Sequence, residues 1–266
     1  IAPTQECNFN CVYCYEKTRT SVYMDEEIED SIIQYIKQVN PKKVVLVWFG
    51  GEPLLAVDTI CSFHTKISKL SFQLEASIIT NGFLLSKEIF LRLLDCNISQ
   101  FQITLDGDEK SHNDRRPLLN GSNTYQTIIS NLQQVLNYCS IEKVINVKFH
   151  IRVNIDRSNF SKFLDVRKEF LIHESSLLCI HPALTKATDC YGCNCFSINE
   201  YVDFCLELLK KNGIKTIDLY PSNKITECFA RHINSYLIGP DGSLFKCWHD
   251  LGNSEMCIGN IKDRVI

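Results

Sequence analysis

The sequence predicts an α/β fold, a partial (β/α)6 barrel with a small C-terminal Cys-rich β-hairpin appendage. Short apolar runs alternate with longer amphipathic runs across residues 25–219, the pattern of parallel strands joined by helical crossovers. Polar signatures stand just after three of the strands, GGEP after 44–49, TNG after 75–79 and DG after 101–105. In parallel folds that edge of the sheet binds ligands. Near residue 220 the helical runs stop, which divides the chain into 1–220 and 221–266. About six βα units are too few to close an eight-stranded barrel, so the sheet is expected to stay open.

Residues 25–39 (DEEIEDSIIQYIKQV) read as a helix with Asp25 as N-cap, acidic residues in its first turn and Pro41 beyond its end. VVLVWF (44–49) is a strand and 55–70 a helix. EASIIT (75–80) is a strand ending in Asn-Gly, 86–94 a helix opening at a Ser cap, and FQITL (101–105) a strand ending in Asp-Gly. A helix over 124–138 starts at Thr124, and the next strand lies within 143–155. Helix 159–171, a strand near 177–181, helix 198–212 and a short strand at 215–219 complete the series. In the appendage, SYLIG and SLFKC flank Pro-Asp-Gly and read as a hairpin.

An apolar fraction of 45% and a charged fraction of 22% are those of an ordinary soluble protein. A net charge of −3 gives no reason to expect nucleic acid or an anionic membrane as partner. No apolar run approaches the roughly 18 residues that span a bilayer. The chain opens IAPTQEC with no initiator Met or charged n-region, so no signal peptide is visible, and its abrupt limits suggest a fragment.

The informative count is 14 Cys. A disulfide-rich secreted protein and an intracellular metal protein compete as explanations, and the length and αβ pattern favour the second, in a reducing cytoplasm. Cys61, Cys96, Cys139, Cys179 and Cys205 sit among apolar residues and read as small buried hydrophobes. Cys7, Cys11 and Cys14 instead form C-x3-C-x2-C on one short segment. Three thiolates can hold three corners of an iron–sulfur cubane and leave one iron open for chemistry. A zinc site or a disulfide loop would also use such residues, although zinc knuckles usually have a second pair nearby.

The triplet followed by Gly50, Gly51, Glu52 and Pro53 resembles the radical S-adenosylmethionine superfamily. That resemblance implies a [4Fe–4S] cluster on Cys7, Cys11 and Cys14 as the catalytic centre, with S-adenosylmethionine chelating the fourth iron through its amino and carboxylate groups. Reductive cleavage to a 5′-deoxyadenosyl radical is the implied reaction. It also implies an adenine contact from Tyr13, and recognition of the methionine amino group by the GGEP loop, with Glu52 in that role. Thr80, Asn81 and Asp106 match strand-end motifs around the cofactor, while His112, Arg115 and Arg116 match an H-x-x-x-R-like stretch. Arg152 and Asn154 fall where such enzymes place a carboxylate-binding Arg and a ribose contact, the planar guanidinium being suited to both carboxylate oxygens.

In the appendage, Cys228, then Gly242-x4-Cys247, then Ile258–Asn260 resembles the start of an auxiliary-cluster domain of the SPASM or twitch type. The resemblance implies that Cys228 and Cys247 ligate at least one auxiliary iron–sulfur cluster. Cys257 fits the pattern less clearly, and Cys190, Cys193 and Cys195 in DCYGCNC form a metal loop, an auxiliary ligand or a reactive surface loop. The implied function is a maturase that cross-links a ribosomally made peptide through thioether or C–C bonds. Its expected partners are a peptide or protein substrate and an external reductant such as flavodoxin or ferredoxin. The alternatives are an anaerobic sulfatase-maturating enzyme forming formylglycine and a non-catalytic iron–sulfur electron carrier.

Overall fold

Five parallel strands, β1 (Lys43–Trp48), β2 (Gln73–Thr80), β3 (Ile98–Thr104), β4 (Lys148–Ile155) and β5 (Leu178–Leu184), lie in sequence order in one sheet. They belong to a computed structural model that describes residues 1–16, 19–170, 177–185, 194–214 and 228–263. The strand expected at 215–219 lies outside the described residues, as do Cys190 and Cys193. Helices α1 (Glu26–Val39), α2 (Val57–Ile67), α3 (Lys87–Asp95), α4 (Glu109–Arg115), α5 (Tyr125–Ile141), α6 (Phe163–Glu169) and α7 (Ile198–Asn212) occupy the intervals and follow β5.

The helix boundaries follow their capping chemistry. Asp25 accepts from the Ile28 amide, Ser86 from the Ile89 amide, and Ser197 forms a reciprocal capping box with Glu200. The run expected as one helix over 55–70 is a 3-10 turn, Pro53–Ala56, leading into α2. Residues 159–171 divide likewise, into a 3-10 turn at Phe160–Lys162 and α6. Strand β4 starts at Lys148, later than the 143–155 run suggested, and β5 continues through Pro182 to Leu184. Helix α4 was not anticipated, because EKSHNDR contains no apolar residue to carry a period.

Strand alternation separates core from site. Phe149, Ile151, Val153 and Ile155 of β4 are fully buried, while His150, Arg152 and Asn154 on the opposite face stay half-exposed. The core stacks Phe90 and Phe149 on Phe101 at ring separations of 5.3 and 5.2 Å. Cys139 and Cys205 are buried and Cys61 and Cys96 half-buried, as expected of packing residues. Cys179 is exposed, so that expectation is corrected there: Leu178 and Ile180 take the helix-facing positions, and period two sends Cys179 to the other side.

Strands β6 (Leu237–Ile238), β7 (Ser243–Phe245) and β8 (Gly259–Asn260) form an antiparallel sheet, and the expected hairpin turns at Pro240-Asp241-Gly242. Residues 1–4 lie between this sheet and β1. The Ile1 nitrogen donates to Val47 (2.7 Å), Phe49 donates to Ile1 (3.0 Å), and Ala2 donates to Ile238 (2.8 Å). Ala2, Phe49, Leu237, Phe245 and Leu251 close one apolar cluster over that seam. Among the described residues no helix is long and apolar enough to cross a membrane.

A buried imidazole in this core titrates with folding. His64 accepts from Trp48 Nε1 at 2.9 Å, and burial pulls its pKa from 6.5 down to about 4. Above pH 6.5 it is neutral in both states. As pH falls toward 4, the unfolded chain takes up a proton that the fold refuses, and stability drops by up to ~3 kcal/mol. Urea unfolding at stepped pH is expected to show this loss in the native chain and a shallower slope in His64→Gln.

Candidate active site

The Cys loop is held on three sides. Asn10 donates to the Pro117 carbonyl (2.8 Å), Val12 to Arg115 (3.0 Å) and Leu119 to Asn8 (3.0 Å), which lashes the loop to the chain that follows α4. Arg19 donates to the Phe9 carbonyl (2.6 Å), and Asn81 Nδ2 to Asn8 Oδ1 (2.7 Å). Phe9 is fully buried and fixes the loop's apolar side. The GG pair then approaches backbone to backbone. A Cβ at Gly51 would lie 2.1 Å from the Glu6 carbonyl, and Gly50 holds φ +132 with room for none.

These contacts open Cys7, Cys11 and Cys14 onto a cavity of about 580 Å³. Its wall also takes Tyr13, Gly50, Gly51, Thr80, Asn81, Arg116, Arg152 and Asn154 from the core, and Cys228, Cys247, Trp248 and His249 from the appendage. Of the residues singled out in the sequence, Glu52, Pro53, Asp106, His112 and Arg115 do not line it among the described residues; His112 is buried, and its Nδ1 accepts from the Asp106 amide (3.2 Å). Glu52 is fully buried and its oxygens accept from Thr80 Oγ1 (2.6 Å), the Asn81 amide (2.7 Å) and the Leu54 amide (3.0 Å). It therefore welds the GGEP turn to the TNG turn. Cys257 lies off the cavity and donates to the Gly259 carbonyl (3.2 Å).

Aromatic contacts join the two walls. Tyr15 stacks on His249 at 4.4 Å, and Phe49 meets Trp248 at 4.7 Å. Gln102 and Thr185 line the cavity without having been singled out from the sequence. Gln102 was readable in principle, because it alternates with buried Phe101 and Ile103 along β3.

A polar lattice lies behind the loop. The Tyr13 hydroxyl accepts from Arg116 Nη1 (2.6 Å) and Asn154 Nδ2 (3.1 Å), and Asn154 Oδ1 accepts from Arg152 Nε (2.8 Å). Arg115 lies between Asp106 (3.0 Å) and Asp156 (2.7 Å), with all three buried. Burial opposes charge on Arg116, but Cys11, Tyr13 and Asp106 outweigh it and hold the guanidinium protonated. Burial raises the Tyr13 hydroxyl, which stays a neutral phenol.

The donor set fits an iron–sulfur cluster. All three thiols are free of disulfides and share one wall, and the Phe9 amide donates to Cys7 Sγ at 3.4 Å. Burial pushes Cys7 up to about 12 and raises Cys11, so without a cation both would stay protonated. Two buried polar atoms on the wall, Arg116 Nε and Thr185 Oγ1, have no partner among the described residues and suit a polar ligand. Cys228 and Cys247 supply two further thiols to the cavity from the appendage.

A family model described as the radical SAM superfamily matches residues 1–155. An uncharacterized protein of Methanocaldococcus jannaschii is 22% identical over 98% of this chain and 87% of its own length. GTP 3′,8-cyclase of Helicobacter pylori is 31% identical over 111 residues, 40% of this chain. The radical SAM cyclopropyl synthase TigE of Paramaledivibacter caminithermalis is 25% identical over 62% of it. The matched regions span only 33% and 39% of those last two proteins. Among solved structures, anSMEcpe with bound AdoMet superposes with TM-score 0.76 at 19% identity, over 98% of this chain and 76% of that one. SuiB of Streptococcus suis bound to S-adenosylmethionine gives 0.68 at 14%, over 100% and 63%. Both also have structures with a bound peptide, Cp18Cys for anSMEcpe and the precursor SuiA for SuiB.

Proposed function

Because this chain belongs to the radical SAM superfamily, we propose that it is a maturase that cross-links a ribosomally made peptide in a reducing cytoplasm. As a radical SAM enzyme it uses a [4Fe–4S] cluster and S-adenosylmethionine. When bound, these supply a 5′-deoxyadenosyl radical able to take hydrogen from an unactivated carbon. Cys7, Cys11 and Cys14 hold the cluster. The Gly50–Gly51 backbone, Thr80 and Asn81 border the methionine end, with Glu52 fixing that turn from behind. Tyr13 borders the adenine, Asn154 the ribose, and Arg152 the carboxylate, each through a group that faces the cavity.

The observation that carries the peptide reading is the position of Cys228 and Cys247 on the same cavity as the Cys7 loop. In residues 221–266, read as a partial auxiliary-cluster domain, these two thiols are the described ligands of an auxiliary cluster. A cluster there could take the electron left on a substrate after hydrogen loss, or bind a substrate thiolate. The peptide-bound structures of anSMEcpe and SuiB support the same substrate class. A cavity of about 580 Å³ has no use in a bare electron carrier.

The test is mass spectrometry of a precursor peptide encoded beside the gene. The peptide is incubated anaerobically with the iron-loaded enzyme, S-adenosylmethionine and reduced flavodoxin or ferredoxin. A peptide lighter by two hydrogens, with one 5′-deoxyadenosine formed per modification, is expected. An unchanged precursor together with formylglycine in a sulfatase-motif peptide would replace the reading by the sulfatase-maturating one. Turnover of GTP alone would move the substrate to a nucleotide.

A further inference from the structure

His150, Cys179 and His181 gather on the site-facing side of β4 and β5, outside the residues given to the reaction. His150 and Cys179 are direct register partners across the two strands. His181 is two residues beyond Cys179, so strand alternation brings it to the same face. One ligand atom from each residue lies within 4.8 Å of the others. We propose that these three side chains form a binding site for a divalent zinc ion that staples β5 to β4.

The chemistry of the donors selects the ion. Two imidazoles and a thiol are a borderline-soft set, and zinc takes nitrogen and sulfur ligands in a tetrahedron without a redox or geometric demand of its own. Tetrahedral bonds of about 2.1–2.3 Å place ligand atoms about 3.5 Å apart. The ligand atoms already lie within 4.8 Å of one another, little more than that spacing. Cys179 is exposed, which gives the ion an entry path and leaves the fourth position to water, while both imidazoles are half-buried. The rings of His150 and His181 are already steeply inclined, 70° apart at 6.4 Å, so their nitrogens can converge without stacking.

The position gives the site its consequence. His181 is the register partner of Arg152, which lines the cavity, so the ion would lie one step below the cavity on the same face. It would fix the last strand in the order of the described sheet, whose far side has no described neighbour.

Zinc sulfate is titrated against the iron-loaded full chain in competition with a weak chelator, and zinc and iron per chain are counted by elemental mass spectrometry. The native protein is expected to hold one zinc. Cys179→Ser and His181→Asn are expected to hold it at least ~100-fold more weakly, with iron content unchanged. Cys179→Ser changes one atom at an exposed position, and its iron content reports the intact fold. No zinc on the native chain, or equal affinity in native and variants, overturns the site. Zinc lost only in Cys228→Ala/Cys247→Ala would assign the ion to the appendage and overturn it as well.

Discussion

Alanine at Cys7, Cys11 and Cys14 together is expected to remove the iron of one cluster and to reduce 5′-deoxyadenosine formation to the level seen without enzyme. The loop is lashed to residues 115–119 and brings these three sulfurs to the cavity together. Anaerobic reconstitution, iron counting and chromatography of the nucleoside read both quantities. The informative partner is Cys228→Ala/Cys247→Ala. It is expected to keep 5′-deoxyadenosine formation while losing the cross-linked peptide, since its thiols come from the appendage and not from the Cys7 loop. Full iron retention in the triple variant would place the cluster elsewhere. Loss of nucleoside formation in the double variant, with the first cluster intact, would mean that the two walls act as one centre.

The largest effect on stability is expected from Arg115→Ala. Its guanidinium bridges Asp106 and Asp156, whose carboxylates are 0% and 2% exposed. Burial works against ionisation of Asp156, and the Ser158 hydroxyl and Arg115 reverse it to hold the group below its usual range. Removing the cation leaves two buried anions facing each other, a change that costs about 3–5 kcal/mol. For a chain of this size that lowers the melting temperature by about 10 °C, measurable by differential scanning calorimetry. Asp106→Asn in the Arg115→Ala background is expected to recover part of the loss, which a double-mutant cycle would resolve. Neither change removes a thiol, so a cluster that still assembles in the variant separates this effect from ligand loss.

The strand–loop rhythm was legible because three of the parallel strands are followed by glycine turns, Asn81-Gly82 and Asp106-Gly107 among them. Helix α1 was legible from Asp25 and from its apolar spacing. Helix α4 was not, because its start depends on Asp108 capping the Ser111 amide and its side chains serve a buried ion network, which leaves no periodic signal. Cys179 was misjudged because apolar neighbours in a strand say nothing about which face the residue itself occupies. That Cys7, Cys11 and Cys14 open onto one cavity was legible from their spacing, since all three stand on one short segment. The sharing of one cavity by Cys14 and Cys247 was not, because spacing along a chain carries no distance across it. Glu52 shows the same limit: the residue was picked out, but its three donors come from two separate turns.

The lacing of residues 1–4 between β1 and β6 also constrains the order of events during folding. Ala2 pairs with Ile238, almost the full length of the chain away. The segment leading into Cys7 therefore cannot complete its seat until residues near Ile238 have joined the fold. Contacts of such separation form late, because the chain entropy lost in closing them must be met first. Iron offered to a partly folded chain would meet three thiols on an unseated loop, whereas iron offered to the folded chain would meet the finished cradle.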